Sequence, residues 1–284
     1  MLYSGNNNLV LANSAKIKGF LDSVVFVLGA ADPEMARIEK VLHDIGAGFT
    51  YADIGGVRCH PGNAYKADSV FTHNMIVWVE CGTAEMVCPH VRIDHHNEGD
   101  NGFSMGPENF WEGSSLGQLY RLLLANGASP AVLDSLFGED KYLVAASDHC
   151  PAAAYKGLCP GVDKWDLAAY RARRNAEYIG ISTEEYISVL HDSIAIAEKL
   201  PVKELGGEVY SVANEPIDYL NEVSLRLGIA VEYVMPGSQR DPRTKVGLLG
   251  GSPSLTAAWM EHKKDSLVGI YGSPARGYAG GYLV

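Results

Sequence analysis

Asp94-His95-His96 ends a short apolar run, and acids stand at the ends of other runs of the same kind. Asp32 follows Val24–Leu28, Glu80 closes residues 76–80, and Asp148-His149 follows residues 142–146. Carboxylates mixed with imidazoles, with no thiolate pattern, make a hard-to-borderline donor set suited to Mn²⁺, Mg²⁺, Fe²⁺ or Zn²⁺. Such ions speed phosphoester cleavage by polarising the phosphoryl oxygen and lowering the pKa of a bound water. Two adjacent histidines alone mean little, because neighbours at a strand end point in different directions. The conjunction with the other acids carries the reading.

These residues need elements that bring them together. Val24–Leu28 is β-branched and apolar, so it reads as a buried strand. Asp32-Pro33 then opens a helix, Asp as N-cap and Pro in the first turn, and Gly46 stops it. Further strands are expected at 49–52, 76–80, 91–93 and 142–146, and Ser114 or Ser115 caps a helix carrying Leu116, Leu119 and Leu123. Short buried strands alternating with helices predict an α/β fold, a largely parallel sheet with helices on both faces, whose ligands bind at the carboxyl ends of the strands. A helical stretch over 166–205, with the capping pattern Ser182-Thr183-Glu184-Glu185, is expected to connect the sheet-bearing domain (1–165) to a smaller C-terminal α/β domain (206–284).

Composition narrows the function classes. The chain has 284 residues, 47% apolar and 20% charged, enough for a real core. No apolar run approaches the roughly 18–20 residues of a membrane span, and Met1-Leu2-Tyr3-Ser4-Gly5 begins no secretory signal, so a soluble cytoplasmic protein is expected. The five cysteines (59, 81, 88, 150 and 159) are odd in number and form no Cys-x-x-Cys pair, which fits small buried thiols in a reducing compartment. A net charge of −11 disfavours capture of long nucleic acid and suits a small anionic ligand met by local basic groups.

The spacing of Asp94-His95-His96, the Ser114-Ser115 helix start and Asp148 resembles the DHH phosphoesterase superfamily, over roughly residues 24–157. Gly277-Tyr278-Ala279-Gly280-Gly281 is similar to that family's Gly-rich C-terminal signature. The resemblance implies a DHH-type parallel-sheet domain, a C-terminal substrate-binding domain and a divalent-metal centre, usually manganese, with Mg²⁺, Fe²⁺ or Zn²⁺ as alternatives. It makes Asp32, Glu80, His95 and Asp148 metal ligands, sets His96 at the phosphate, and has Asp94 support the histidines. Two departures stand out: Glu80 occupies the place of a family Asp, and Ala30-Ala31-Asp32-Pro33-Glu34 replaces His-x-Asp-x-Asp. Asp32 and Glu34 can supply the two acids, but the His is missing, and Asp32-Pro33-Glu34 also reads as a plain helix start.

Weaker candidates are His60, in the polar loop Arg58-Cys59-His60-Pro61-Gly62-Asn63-Ala64-Tyr65-Lys66, and Arg240, Arg243 and Arg276 beside Gly-rich backbone, as substrate-binding groups. Tyr271, Tyr278 and Tyr282 could stack on a base, or simply pack. The expected activity is metal-dependent hydrolysis of a small phosphorylated substrate, such as a nucleotide or short oligonucleotide. The rivals are a catalytically degenerate binder of a small anion and a metal-dependent hydrolase of another bond. A homo-oligomer is left open.

Overall fold

The computed structural model describes residues 15–68, 75–83, 90–237 and 242–283. By their internal contacts they divide into two compact units, Met1–Tyr170 and Arg171–Val284. The division falls within the helix Lys164–Ile179, inside the stretch expected as a connector.

In the first unit, α1 (Ala15–Ser23) leads into β1 (Val24–Leu28), α2 (Pro33–Asp44) and β2 (Phe49–Tyr51). A small hairpin of β3 (Asp53–Ile54) and β4 (Val57–Arg58) precedes β5 (Met75–Val79) and β6 (His90–Ile93). The helices α3 (Phe110–Gly113), α4 (Ser115–Ala125), α5 (Pro130–Phe137), α6 (Lys141–His149) and α7 (Pro151–Tyr155) follow. The sheet runs β2-β1-β5-β6, and every described pairing in it is parallel. Asp32 caps α2 as expected, its Oδ1 accepting from the Met35 N–H at 2.7 Å.

Alternation along β1 sends its side chains to two cores. Val24, Phe26 and Leu28 join Met35, Ile38, Leu42, Leu116 and Leu119 beneath α2 and α4. Val25 and Val27 join Ile76, Trp78 and Cys81 on the other face. There the expectation of helices on both faces is corrected: among the described residues this second face is covered by Ala52, Cys59, Ala64, Tyr65 and Ala67, from the hairpin and a short 3-10 turn. Each large side chain buried this way contributes on the order of 1.5–3 kcal/mol.

The expected strand at 142–146 is also corrected. It is α6, packed between two clusters, with Val144 in one and Ala145 and Ala146 in the other. A helix buried on two sides carries a continuous apolar run, which short-range pattern cannot tell from a strand.

The second unit takes over the last turns of α8 (Lys164–Ile179) and continues with α9 (Thr183–Ala197), β7 (Val202–Leu205) and β8 (Glu208–Ala213). Then come α10 (Leu220–Leu227), β9 (Val231–Met235), β10 (Lys245–Leu249), α11 (Pro253–Lys263), β11 (Leu267–Ser273) and β12 (Tyr278–Leu283). Ser182 caps α9 by accepting from Glu185 N–H. The sheet order is β11-β12-β10-β9-β8-β7, parallel only between β8 and β9. Trp259, fully buried, anchors its core and donates Nε1–H to Glu232 at 2.6 Å. The chain is thus mixed α/β, with a parallel sheet and a separate, mostly antiparallel one. Among the described residues no helix is long and apolar enough to cross a membrane.

Candidate metal centre

The carboxyl ends of β1, β5 and β6 and the N-termini of α2 and α4 bring acids and imidazoles together. Ligand atoms of Glu34, Glu80, His95 and Asp148 all lie within 4.8 Å of one another, and a second grouping joins Glu80, His95 and His96. These are the groupings of this kind among the described residues. His95 sits at the centre, with Nε2 3.1 Å from Asp148 Oδ2 and Nδ1 4.0 Å from Glu80 Oε1. Its ring stacks on His96 at 4.3 Å and meets His149 edge-on at 5.0 Å. Glu34, Glu80 and His95 are buried, whereas the side chains of Asp148 (27% exposed) and His96 (21%) open the cluster to solvent on one side.

Charge is the notable property of this group. Glu34 Oε2, Glu80 Oε1 and Asp148 Oδ2 are buried and accept no hydrogen bond. Asp148 Oδ2 nonetheless stands 3.1 Å from His95 Nε2. Burial first, then the charge of Asp148, push the Glu34 and Glu80 carboxyls well above the usual carboxylate range. The same two causes, in the same order, raise Asp32 to about 6. Asp148 goes the other way: burial alone would raise it, but His95 and then His96 pull it down to about 2. An uncompensated buried ion costs several kcal/mol, and a whole domain is stable by only about 5–15 kcal/mol. Such a cluster must hold protons or a cation, and its donor set is compatible with a divalent metal.

Asp94 plays a different part from these residues. Fully buried, its Oδ1 accepts from the His95 and His96 backbone N–H groups at 2.8 and 3.0 Å and contacts His96 Nδ1 at 3.0 Å. Its Oδ2 accepts from the Tyr65 hydroxyl at 2.9 Å. These partners outweigh burial and hold the Asp94 carboxyl below its ordinary value, so it accepts and His96 Nδ1 donates. In the neutral ring the lone pair then lies on His96 Nε2.

Gln118 of α4 locks the same turn to the helix. Its Oε1 accepts from Asp94 N–H at 3.2 Å, and its Nε2 donates to the Asp94 and Gly113 carbonyls at 2.9 and 2.8 Å. Glu34 ties α2 to α4 by accepting from the Leu116 N–H at 3.0 Å. Ser115, first residue of α4, lies 3.4 Å from His95 Nδ1 and bonds to Glu80. His149 Nε2 is 3.1 Å from the Met105 carbonyl, which can only accept, so Nδ1 is left as a buried lone pair with no partner. Burial, then His95, hold this imidazole below its ordinary value.

The expected residues fall into three groups. Glu80, His95, His96 and Asp148 converge, although Asp148 arrives from the last turn of α6 and not from a strand end. Asp32 stands beside them, electrostatically linked to Asp148 and His96, with one oxygen spent on capping α2. Glu34, the other acid of the first motif, joins the grouping where Asp32 does not. The loop containing His60 reaches the site through Tyr65 instead: His60 is exposed and its Nδ1 accepts from Gly62 N–H, closing a turn.

In the second unit, Arg243 lies over the Tyr282 ring at 4.0 Å and Arg276 ends an exposed 3-10 turn. Lys245 faces the Tyr233 and Tyr271 rings. In the Gly-rich C-terminal stretch, now β12, a Cβ on Gly280 would stand 2.8 Å from the Tyr271 hydroxyl, so close ring packing accounts for that glycine. Arg240 and Cys88 lie outside the described residues.

Sequence reasoning had no signal for Gln118, a mid-helix polar residue. Glu34 had one, its spacing of two from Asp32.

The chain matches no family model and no curated protein. The reading of its function therefore rests on the site alone.

Proposed function

We propose that the chain is a divalent-metal-dependent phosphoesterase of DHH type, acting on a small phosphorylated substrate such as a nucleotide or short oligonucleotide. One observation carries the reading: buried carboxylate oxygens of Glu34, Glu80 and Asp148 gather with His95 within 4.8 Å of one another at the carboxyl end of a parallel sheet. Glu34, Glu80, His95 and Asp148 would hold the ion, Mn²⁺ first among the candidates. A bound divalent ion supplies Lewis acidity and a water of lowered pKa.

The remaining work falls to the chain itself. Asp94 fixes the ring of His96, whose Nε2 can donate to a phosphoryl oxygen or take up a proton at the open side of the cluster. The N-termini of α2 and α4 direct their positive ends toward the same place and favour bound anions.

The test is a metal-stripped protein reloaded with Mn²⁺ and offered a panel of small phosphomonoesters, nucleotides and short oligonucleotides. Release of phosphate or nucleotide that requires Mn²⁺ and is lost in His95→Ala and His96→Ala supports the reading. Metal binding with no release across the panel favours the degenerate binder, for which the absence of a first-motif histidine before Asp32 speaks.

A further inference from the structure

Two thiols outside the metal cluster lie side by side at its edge. Cys150 directly follows Asp148-His149 and forms the non-helical junction between α6 and α7, with φ −148° and ψ 53°. Its Sγ is 3.1 Å from Sγ of Cys159, and both are free thiols. Cys159 is buried among Phe110, Ala145, Ala146 and Ala154, while Cys150 keeps partial exposure. The segment between them is held by the Ala154 N–H to Cys150 carbonyl and Leu158 N–H to Ala153 carbonyl bonds, both 3.0 Å. The remaining described cysteines, 59 and 81, belong to the core on the other face of the sheet.

We propose that Cys150 and Cys159 are a redox modification site, closing to a reversible disulfide that weakens cation binding at the adjoining cluster. The regulatory half rests on the metal-site reading above; the disulfide itself does not. The oxidant is of the low-molecular-weight disulfide class. The thiolate of Cys150, the more accessible sulfur, attacks one sulfur of RS–SR; the RS–SR bond breaks, one RSH leaves, and a mixed disulfide forms on Cys150. Cys159 then attacks the Cys150 sulfur and releases the second RSH. Two electrons and two protons pass from the pair to the small disulfide.

Geometry links this bond to the site. A disulfide requires about 2.0 Å between sulfurs, so the pair must close by roughly 1 Å. Cys159 is fixed in its apolar cluster, and Cys150 sits at a helix junction, so the movement falls on Cys150. It is passed to His149, one residue away, and to Asp148, two residues away. Metal sites lose affinity when ligands leave their positions by such amounts.

The experiment treats the full chain with excess oxidised glutathione at mildly alkaline pH, quenches by alkylation, maps peptides and titrates Mn²⁺ before and after. The expected result is a Cys150–Cys159 cross-linked peptide, reversed by dithiothreitol, with Mn²⁺ affinity roughly tenfold lower in the oxidised form. Cys159→Ser should keep the affinity of the reduced protein and, with no resolving thiol, give no internal cross-link and stop at a Cys150–glutathione adduct; Cys159→Ala serves if that variant folds poorly. Glutathione adducts or other pairings without the Cys150–Cys159 peptide overturn the disulfide. A cross-link that leaves Mn²⁺ affinity unchanged overturns the regulation. Failure of the reduced protein to bind Mn²⁺ overturns the functional reading and with it the regulation, while the peptide map is read independently.

Discussion

A Cβ placed on Gly29 would stand 2.4 Å from the Glu80 carbonyl oxygen. The end of β1 thus presses against the residue that follows β5, and Glu80 itself adopts the left-handed conformation, φ 51°. Non-glycine residues rarely rest there, and surrounding structure must hold them. Part of that support is the Glu80 N–H donating to the Ile93 carbonyl at 3.0 Å, which links β5 to the strand carrying Asp94.

Gly29→Ala should therefore push Glu80 out of the cluster. The expected cost is about 1–3 kcal/mol of stability, with Mn²⁺ affinity lowered at least tenfold. Denaturant unfolding and Mn²⁺ titration of the variant check both. An alanine variant with unchanged metal affinity would mean that the Glu80 position does not matter to the site.

Glu34→Gln separates charge from packing. Glutamine keeps an oxygen that can accept from Leu116 N–H but removes one buried carboxylate. Metal binding should be lost or severely weakened. The metal-free protein should gain stability near neutral pH, on the order of 1–3 kcal/mol, because a buried carboxyl no longer has to be protonated or left uncompensated. Thermal melts with and without Mn²⁺ should thus move in opposite directions from wild type.

The pH dependence has a definite sign. Asp32 binds its proton more tightly folded than unfolded, at about 6 against 3.8, so its contribution is present below 3.8 and lost as pH rises through 6. Glu34 and Glu80 are shifted in the same direction. Asp148, lowered to about 2, contributes above 3.8 and loses that contribution as pH falls through 2. From about 4 up through about 6 the raised acids dominate, so they should cost the metal-free protein stability as pH rises. Mn²⁺ displaces those protons, so the rise in Tm that it produces should grow over the same interval. Scanning fluorimetry across that interval, with and without Mn²⁺, reads it; a pH-independent rise would contradict the assignment.

Tyr65→Phe removes only the hydroxyl that donates to Asp94. About 1 kcal/mol of stability should go with it. If His96 works as proposed, kcat should fall several-fold with little change in KM, since the ring that Asp94 orients is loosened while the metal ligands stay. An equal loss in Tyr65→Phe and His96→Ala would instead place Tyr65 among the groups that touch substrate.

Local signals were enough for the parts of the fold that local physics determines. The β-branched run of β1, the Asp32-Pro33 start of α2 and the Ser114 cap of α4 each satisfy backbone needs within a few residues, and each is where the pattern put it. Glu80 and Asp94-His95-His96 were legible because strand ends in a parallel sheet converge. Asp148 was placed beside them for the wrong reason, since α6 is a helix buried on two sides. Glu34 was hard to weigh because a first-turn acid normally serves the helix dipole, whereas here it reaches across to Leu116 and the cluster. Tyr65 and Gln118 act over 29 and 24 residues of sequence, a separation that no periodicity encodes.

The assignment of Glu34, Glu80, His95 and Asp148 to one divalent-ion site has a simple test. Calorimetric titration of Mn²⁺ into the metal-stripped chain, in two buffers of different ionisation enthalpy, tests it most directly. Saturable binding with net proton release from the raised acids is expected, abolished in Glu80→Gln and His95→Ala. Absence of saturable binding, or binding that survives both substitutions, would contradict it.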